Sequence, residues 1–210
     1  NKEWLWGYRE TDQLGGKDPY SASKAMAEIA IASYLKTFDY LKNGVKISIA
    51  RAGNVIGGGD WSKDRLLPDL IRSINSGEKL SIRSPKSTRP WQHVLDPLYG
   101  YLKLAVFLDS QPSLHGEAFN FGTLKQEFRS VESICYQVKE ILPEVKFIFS
   151  DQTNYECNLL QLDCTKASLK LDYNNKFDSY EAIGMAVEWY KEYINSGSNL
   201  SNLLDQQIGI

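Results

Sequence analysis

The chain has 210 residues, of which 42% are hydrophobic and 24% charged, and a formal net charge of −2. This is globular composition, large enough for one sizeable domain or two small ones, and the absence of a basic block argues against a nucleic-acid surface. No apolar run approaches the roughly 20 residues of a membrane span. Three cysteines without a C-x-x-C pair (Cys135, Cys157, Cys164) read as reduced thiols of a cytoplasmic protein, not as a metal site.

The chain opens on Asn1-Lys2-Glu3-Trp4 with no initiator Met, and no G-x-G-x-x-G follows a strand. It is expected to be part of something longer. Residues 1 to 19 carry an aromatic patch, Trp4-Leu5-Trp6-Gly7-Tyr8, and then turn chemistry, and read as a loop. Asp18-Pro19-Tyr20-Ser21-Ala22-Ser23-Lys24 opens a helix, because Asp18 can cap the free amides and Pro19 suits the first turn. The apolar run after it predicts a helix to about Leu41, with Ile29, Leu35 and Phe38 buried and Asn43-Gly44 as its left-handed stop.

Tyr20 and Lys24 stand one helical turn apart, so both side chains project from one face. An ammonium near a phenol oxygen stabilises the phenolate, which can take a proton from an alcohol or sugar hydroxyl. The same spacing also suits an ordinary surface pair.

Val45 to Ala50 alternates apolar and polar residues and predicts a strand. Helix, glycine and strand in succession suggest one arm of a parallel α/β sheet, in which function gathers at the carboxyl ends of the strands. Arg51-Ala52-Gly53-Asn54-Val55-Ile56-Gly57-Gly58-Gly59-Asp60-Trp61 follows, where backbone can approach a ligand and Asn54 offers donor and acceptor. The triple glycine is no P-loop, since no Gly-Lys-Ser/Thr follows; it reads equally as a mobile turn.

Arg65 lies just before a helix reaching about Ser76, with Leu70, Ile71 and Ile74 inward. Leu80 to Arg83 is a short strand. Arg89 is the best candidate for a diphosphate clamp, since a planar fork matches phosphate oxygens. His93 has no metal-ligand spacing and reads as a pocket or core residue, and His115 as solvated. Asp96-Pro97 would cap a helix from Leu98 to Leu108. A strand at Glu117 to Gly122, a helix at Val131 to Leu142 capped by Ser130, and a strand at Lys146 to Phe149 come next. After a polar loop follow a short helix from Thr165 and a longer one around Tyr180 to Ile194, with Trp189 and Tyr190 read as core. The Ser/Asn/Gln-rich tail from Asn195 is expected to be weakly ordered, with Leu200, Leu203 and Leu204 able to dock.

Tyr20-x-x-x-Lys24, Asn54, Arg89-x-Trp91-x-x-Val94-x-Asp96, Asn120-x-Gly122 and Trp189-Tyr190 resemble the extended short-chain dehydrogenase/reductase superfamily of nucleotide-sugar enzymes. The longer strings Trp4 to Glu10, Ala50 to Trp61, Asp64-Arg65-Leu66-Leu67-Pro68-Asp69 and Thr88 to Val94 are similar, more narrowly, to the CDP-glucose 4,6-dehydratase family. The superfamily's usual Leu-Gly stands here as Leu171-Asp172.

This resemblance implies an α/β fold: residues 1–60 as the C-terminal part of a Rossmann-type NAD-binding domain, 61–194 mainly as a smaller nucleotide-sugar-binding domain, and 195–210 as a tail. The glycine-rich NAD segment and the acid that helps expel water would lie upstream, leaving these residues inactive alone. Tyr20 and Lys24 would be catalytic and, with Ala52 and Gly53, would meet NAD. Asn54, Arg65, Leu66, Leu67, Arg83, Arg89 and Gln92 would bind CDP-glucose. The implied reaction is dehydration to CDP-4-dehydro-6-deoxyglucose for deoxysugar and lipopolysaccharide synthesis, in a cytoplasmic homodimer or dimer of dimers without nucleic-acid or membrane partners. Alternatives are an epimerase or dehydratase of another nucleotide sugar, or a stand-alone binding module or inactive truncated remnant without a dinucleotide site.

Overall fold

A computed structural model describes residues 2, 6–123, 128–150, 161–196 and 200–209. Trp4, Leu5 and Cys157, singled out in the sequence, lie outside them, as does most of the polar loop before Thr165. The elements in order are α1 (Pro19–Thr37), β1 (Ile49–Ala52), β2 (Val55–Ile56), α2 (Leu66–Ser76), β3 (Leu80–Ile82), β4 (Thr88–Pro90), β5 (Gln92–His93) and α3 (Leu95–Ser110). They continue with β6 (Ala118–Phe121), β7 (Phe128–Ser130), α4 (Val131–Ile141), β8 (Phe147–Phe149), α5 (Thr165–Leu171), α6 (Ser179–Ser196) and α7 (Ser201–Gly209). The strands form four pairs. β1–β6, β2–β5 and β3–β8 run parallel, and β4–β7 antiparallel.

Asp18 starts α1 as its residue type demands, accepting from the Ser21 amide at 2.9 Å and the Ser21 hydroxyl at 2.6 Å. Those bonds hold its carboxyl below the usual range. The helix ends at Thr37, four residues before its expected end at about Leu41, because Phe38 turns extended; Gly44, at φ 71°, caps a separate 3₁₀ turn, Leu41–Asn43. Ile29 and Phe38 were expected in the core and are 61% and 53% exposed, Leu35 is half-buried, and only Ala25 of the helix is buried. Apolar character states that a side chain favours cover, not which element supplies it.

The first strand also lies later than its alternation predicts. β6 sets its register, pairing Ile49 with Ala118 through to Ala52 with Phe121. Residues 45–48 serve the adjoining loop instead. The Ile47 amide donates to Nδ1 of His115 at 3.1 Å, and the Ser48 hydroxyl to the Glu117 carbonyl at 2.6 Å. His115 is therefore half-buried and bonded, not simply solvated.

Two apolar clusters hold the chain. In one, Phe119 and Phe121 of β6 pack with Leu104 of α3, Leu171 of α5 and Tyr173. Gly100 makes this possible, since a Cβ there would stand 2.3 Å from Cδ1 of Phe121. In the other, Leu70 and Ile71 of α2, Ile134 and Val138 of α4, and Ile183, Ala186 and Val187 of α6 interdigitate beside Ile82 of β3. The Ser/Asn/Gln-rich tail is helical over α7, with Leu200 buried just before it and Gln207 donating to the Met185 carbonyl at 3.0 Å. Cys135 and Cys164 are free and buried, and burial pushes both thiols up to about 12.

Asp96 is no helix cap. It lies inside the first turn of α3, 2% exposed, and its Oδ1 accepts from the Lys176 amide at 2.7 Å, tying the α5–α6 connection to α3. Burial raises its carboxyl above the usual range. His93 is equally buried, edge-on to Phe177, and burial lowers its imidazole to about 4.

Arg51 joins α1 to the sheet. Its Nε and Nη2 donate to the Glu28 carboxylate at 2.9 and 2.6 Å, with both side chains about four-fifths covered, and its Nη1 reaches the Glu10 carbonyl at 3.2 Å. Losing one partner of a mostly covered bidentate pair costs about 2 kcal/mol. Arg51→Gln should therefore lower the thermal midpoint by about 4–8 °C, read by calorimetry; a midpoint equal to wild type would show the pair to be energetically idle.

A histidine titrates near 6.5 when unfolded and at about 4 in the native chain. Between those values the unfolded chain binds more protons, so stability falls as pH drops from 6.5 to 4, by up to about 3 kcal/mol. Asp96 acts oppositely, because its raised carboxyl holds a proton longer in the native state. Denaturant titrations across this range should show the acid loss in wild type and a flatter profile in His93→Phe; identical profiles would exclude His93 as the cause.

Candidate functional site

Tyr20 and Lys24 lie in the first two turns of α1, on the surface. Tyr20 is 70% exposed and the Lys24 ammonium sits 5.6 Å from its ring centroid. An open phenol with an ammonium beside its ring can exchange a proton with a bound hydroxyl. Ala52 is exposed at the end of β1, and the Gly53 amide donates to the Phe121 carbonyl at 3.3 Å. The carboxyl ends of the parallel pair β1–β6 thus meet there, next to Gly122.

A cavity of about 690 Å³ opens on the other side of Asn54. Its size is that of a ligand site for a molecule as large as a nucleotide. One wall is Asn54, Val55, Ile56 and Gly57. The second is the loop and first turn that lead into α2, with Asp60, Asp64, Arg65, Leu66 and Leu67. The third is Ser81 to Ser84 at the end of β3, closed by Arg89, Trp91 and Val131.

Three guanidiniums, Arg65, Arg83 and Arg89, therefore edge one cavity. Arg65 occupies the N-cap position of α2 and offers no side-chain cap, so the amides of Leu66 and Leu67 are left without one, while Pro68 has no N–H to cap. A helix start and arginine forks in one cavity suit a phosphate-bearing molecule. Arg83 is exposed and makes no ion pair or hydrogen bond among the described residues. Arg65 is shared with Asp60 at 4.0 Å. Burial works to raise the Asp60 carboxyl, but bonds from Ser62 and the charges of Arg65 and Arg72 hold it below the usual range.

Of the expected substrate residues, Asn54, Arg65, Leu66, Leu67, Arg83 and Arg89 meet around this cavity. Gln92 does not. It is 2% exposed, donates to the Phe121 carbonyl at 3.4 Å, and lines a small cleft with Gly53 and Gly122, because strand alternation sends it to the face opposite Trp91. Tyr20 and Lys24 are likewise outside the cavity walls.

Sequence reasoning missed Asp64, Trp91 and Val131 as wall residues. Asp64 stands at φ 63°, a conformation Asp adopts more readily than most residues, and the two positions before Leu66 carried the only signal for it. Val131 belongs to α4, and nothing near it in the chain announces the cavity. Among the described residues no cluster of His, Cys, Asp and Glu is arranged to hold a metal ion.

The fold belongs to a known class. Residues 7–122 match the NAD dependent epimerase/dehydratase family, and the chain belongs to that family. It is 40% identical over 200 residues to a CDP-glucose 4,6-dehydratase of Salmonella typhimurium, a match covering 92% of this chain and 56% of that protein. A dTDP-glucose 4,6-dehydratase of Streptomyces antibioticus is 24% identical, over 87% of this chain and 52% of that protein. Among solved structures, a UDP-glucose-4-epimerase from Stenotrophomonas maltophila superposes with a TM-score of 0.74 at 15% identity, covering 90% of this chain and 60% of that one. A dTDP-glucose 4,6-dehydratase from Streptomyces venezuelae gives 0.72 at 19% identity, covering 93% and 58%. These two show a shared Rossmann-type fold. The chain thus spans little more than half the length of the proteins it matches.

Proposed function

We propose that this chain carries the nucleotide-sugar site and the Tyr-Lys pair of an NAD-dependent 4,6-dehydratase acting on CDP-glucose. The observation that carries the reading is the 40% identity to a CDP-glucose 4,6-dehydratase, which extends over 92% of the chain and so across every wall of the cavity. Relatives acting on dTDP- or UDP-glucose stand at 22–26%.

In this reading Arg65 and Arg89 grip the diphosphate, Leu66 and Leu67 wall the ribose and sugar, and Asn54 bonds a hydroxyl. The residues present fit a dinucleotide beside that site: the Tyr20 phenol and Lys24 ammonium are open to solvent, and Ala52 and Gly53 offer backbone without a bulky side chain at the strand end. NAD, held there, would accept a hydride from C4 of the glucose and return it at C6. Tyr20 takes the proton of the C4 hydroxyl. Lys24 supplies positive charge beside the ring as the phenol oxygen becomes anionic. The 4-ketone so formed acidifies the C5 proton, which lets water leave from C6. We place the enzyme in the cytoplasm as a homodimer in deoxysugar synthesis for surface polysaccharide; the free buried thiols agree with a reducing compartment.

The decisive assay incubates the full-length protein with NAD and CDP-glucose and follows the 4-keto-6-deoxy product. Tyr20→Phe should cut turnover by roughly 100-fold or more, as expected for a lost general base. Arg89→Ala should raise KM for CDP-glucose about 10- to 100-fold through a lost charge-assisted pair. Turnover of dTDP- or UDP-glucose in preference to CDP-glucose would overturn the nucleotide assigned, and full activity in Tyr20→Phe would overturn the mechanism.

A further inference from the structure

The glycine-rich loop between β2 and α2 supplies Gly57, Asp60, Asp64 and Arg65 to the cavity. Gly58, Gly59 and residues 61–65 of this loop are exposed. Its position is set from behind, by α6. A Cβ on Gly58 would stand 2.0 Å from Cγ of Trp189 and 2.2 Å from its Cδ2, so the loop backbone packs directly against the Trp189 side chain. Gly58 has no positive φ, so what excludes a side chain there is the ring, not the backbone conformation.

The indole is itself braced. Trp189 stacks on Tyr193 with centroids 5.5 Å apart and planes at 8°, and Trp61 from the loop packs edge-on to Tyr190 at 5.4 Å and against Tyr193 at 5.4 Å. The Tyr190 hydroxyl donates to the Asp60 carbonyl at 2.6 Å, and burial pushes that phenol up to about 12, so it remains a donor throughout the working range. Arg72 of α2 donates to the Trp61 and Ser62 carbonyls at 2.9 and 3.0 Å. Trp189 touches no part of the cavity, yet the loop that does is held by it.

We propose that Trp189, with Tyr190 and Tyr193, is a positioning device for ligand binding: α6 presents an aromatic shelf that fixes Asp60 and Arg65 at the cavity mouth. The residues that the sequence offers as core thus act on the site through the loop. This rests on the reading of the cavity as a nucleotide-sugar site. An aromatic shelf suits the task because each ring contact is short-ranged and lost outright when the partner shifts.

The test uses the full-length protein with four variants: Trp189→Ala, Trp189→Phe, Gly58→Ala and the double variant Gly58→Ala/Trp189→Ala. Val187→Ala is the control, since Val187 is fully buried on the same helix but on the opposite side from Trp189. Calorimetry reads the affinity for CDP and UDP, and hydrogen exchange reads the order of residues 57–65. Trp189→Ala and Gly58→Ala should each weaken CDP about tenfold. Trp189→Phe should recover most of it. In the double variant the losses should not multiply, because the ring that the new Cβ meets is gone.

Exchange in residues 57–65 should rise in Trp189→Ala and not in Val187→Ala. Wild-type affinity in Trp189→Ala, an equal loss in Val187→Ala, or losses that multiply in the double variant would each overturn the proposal. If the wild type binds neither CDP nor UDP, the nucleotide reading falls and the shelf's part in binding with it. If it binds both and only the variants behave alike, the shelf alone is wrong.

Discussion

Asn120 of β6, which has no exposed surface, is where the separate pieces of this chain are joined. Its amide donates to the Glu10 carboxylate at 2.8 Å, and its side chain donates to the carbonyls of Tyr8 and Asp163 at 3.0 and 3.2 Å. The segment before α1, the strand pair β1–β6 and the stretch leading into α5 are thereby tied at one buried point. Through Glu10 the tie passes to Arg51, and through Arg51 to Glu28 and α1. Buried polar groups of this kind hold a geometry more than they add stability, because each donor or acceptor left without a partner is costly. Tyr20 and Lys24 inherit their placement from this network. Few apolar contacts of α1 assist it, since Ala25 is the helix's one buried residue.

The cavity obeys a different logic. Its walls come from the segment around β2, the loop into α2 and the end of β3, closed by Arg89, Trp91 and Val131, and the second apolar cluster sits behind them. Positive charge is carried by the cap residue Arg65, by Arg83 just past β3 and by Arg89 in the short strand β4, none of them in the buried core. α2 contributes twice, with a start that faces the cavity and an apolar face that anchors it through Leu70 and Ile71. The outcome is a rigid base with a loop laid across it, and α6 decides where that loop lies.

Local chemistry was legible in the sequence wherever a residue type has a single strong preference. Asp18-Pro19 predicts the start of α1, Ser130 the start of α4, and the apolar spacings of α2, α4 and α6 their buried faces, and the structure has all of these. The Tyr-Lys spacing and the arginine-bearing strings were equally readable, because their chemistry lies within a few residues. The places that differed were those where a partner from far along the chain decides. β6 sets the register of β1, Lys176 draws Asp96 away from capping, and α1 carries apolar side chains into the open.

By itself, then, the sequence determined the α/β class and most element types, which follow from local propensity, and through its motif strings the family likeness and the charged and Tyr-Lys residues on which the proposed function draws. Only the tertiary structure decided that six of the expected substrate residues share one cavity while Gln92 does not, that Asp60, Asp64 and Val131 complete its walls, and that Trp189 lies under Gly58. The reason is physical. A cavity and a ring contact are relations between surfaces that come from distant parts of the chain, and no periodicity or spacing along the backbone encodes which surfaces will meet.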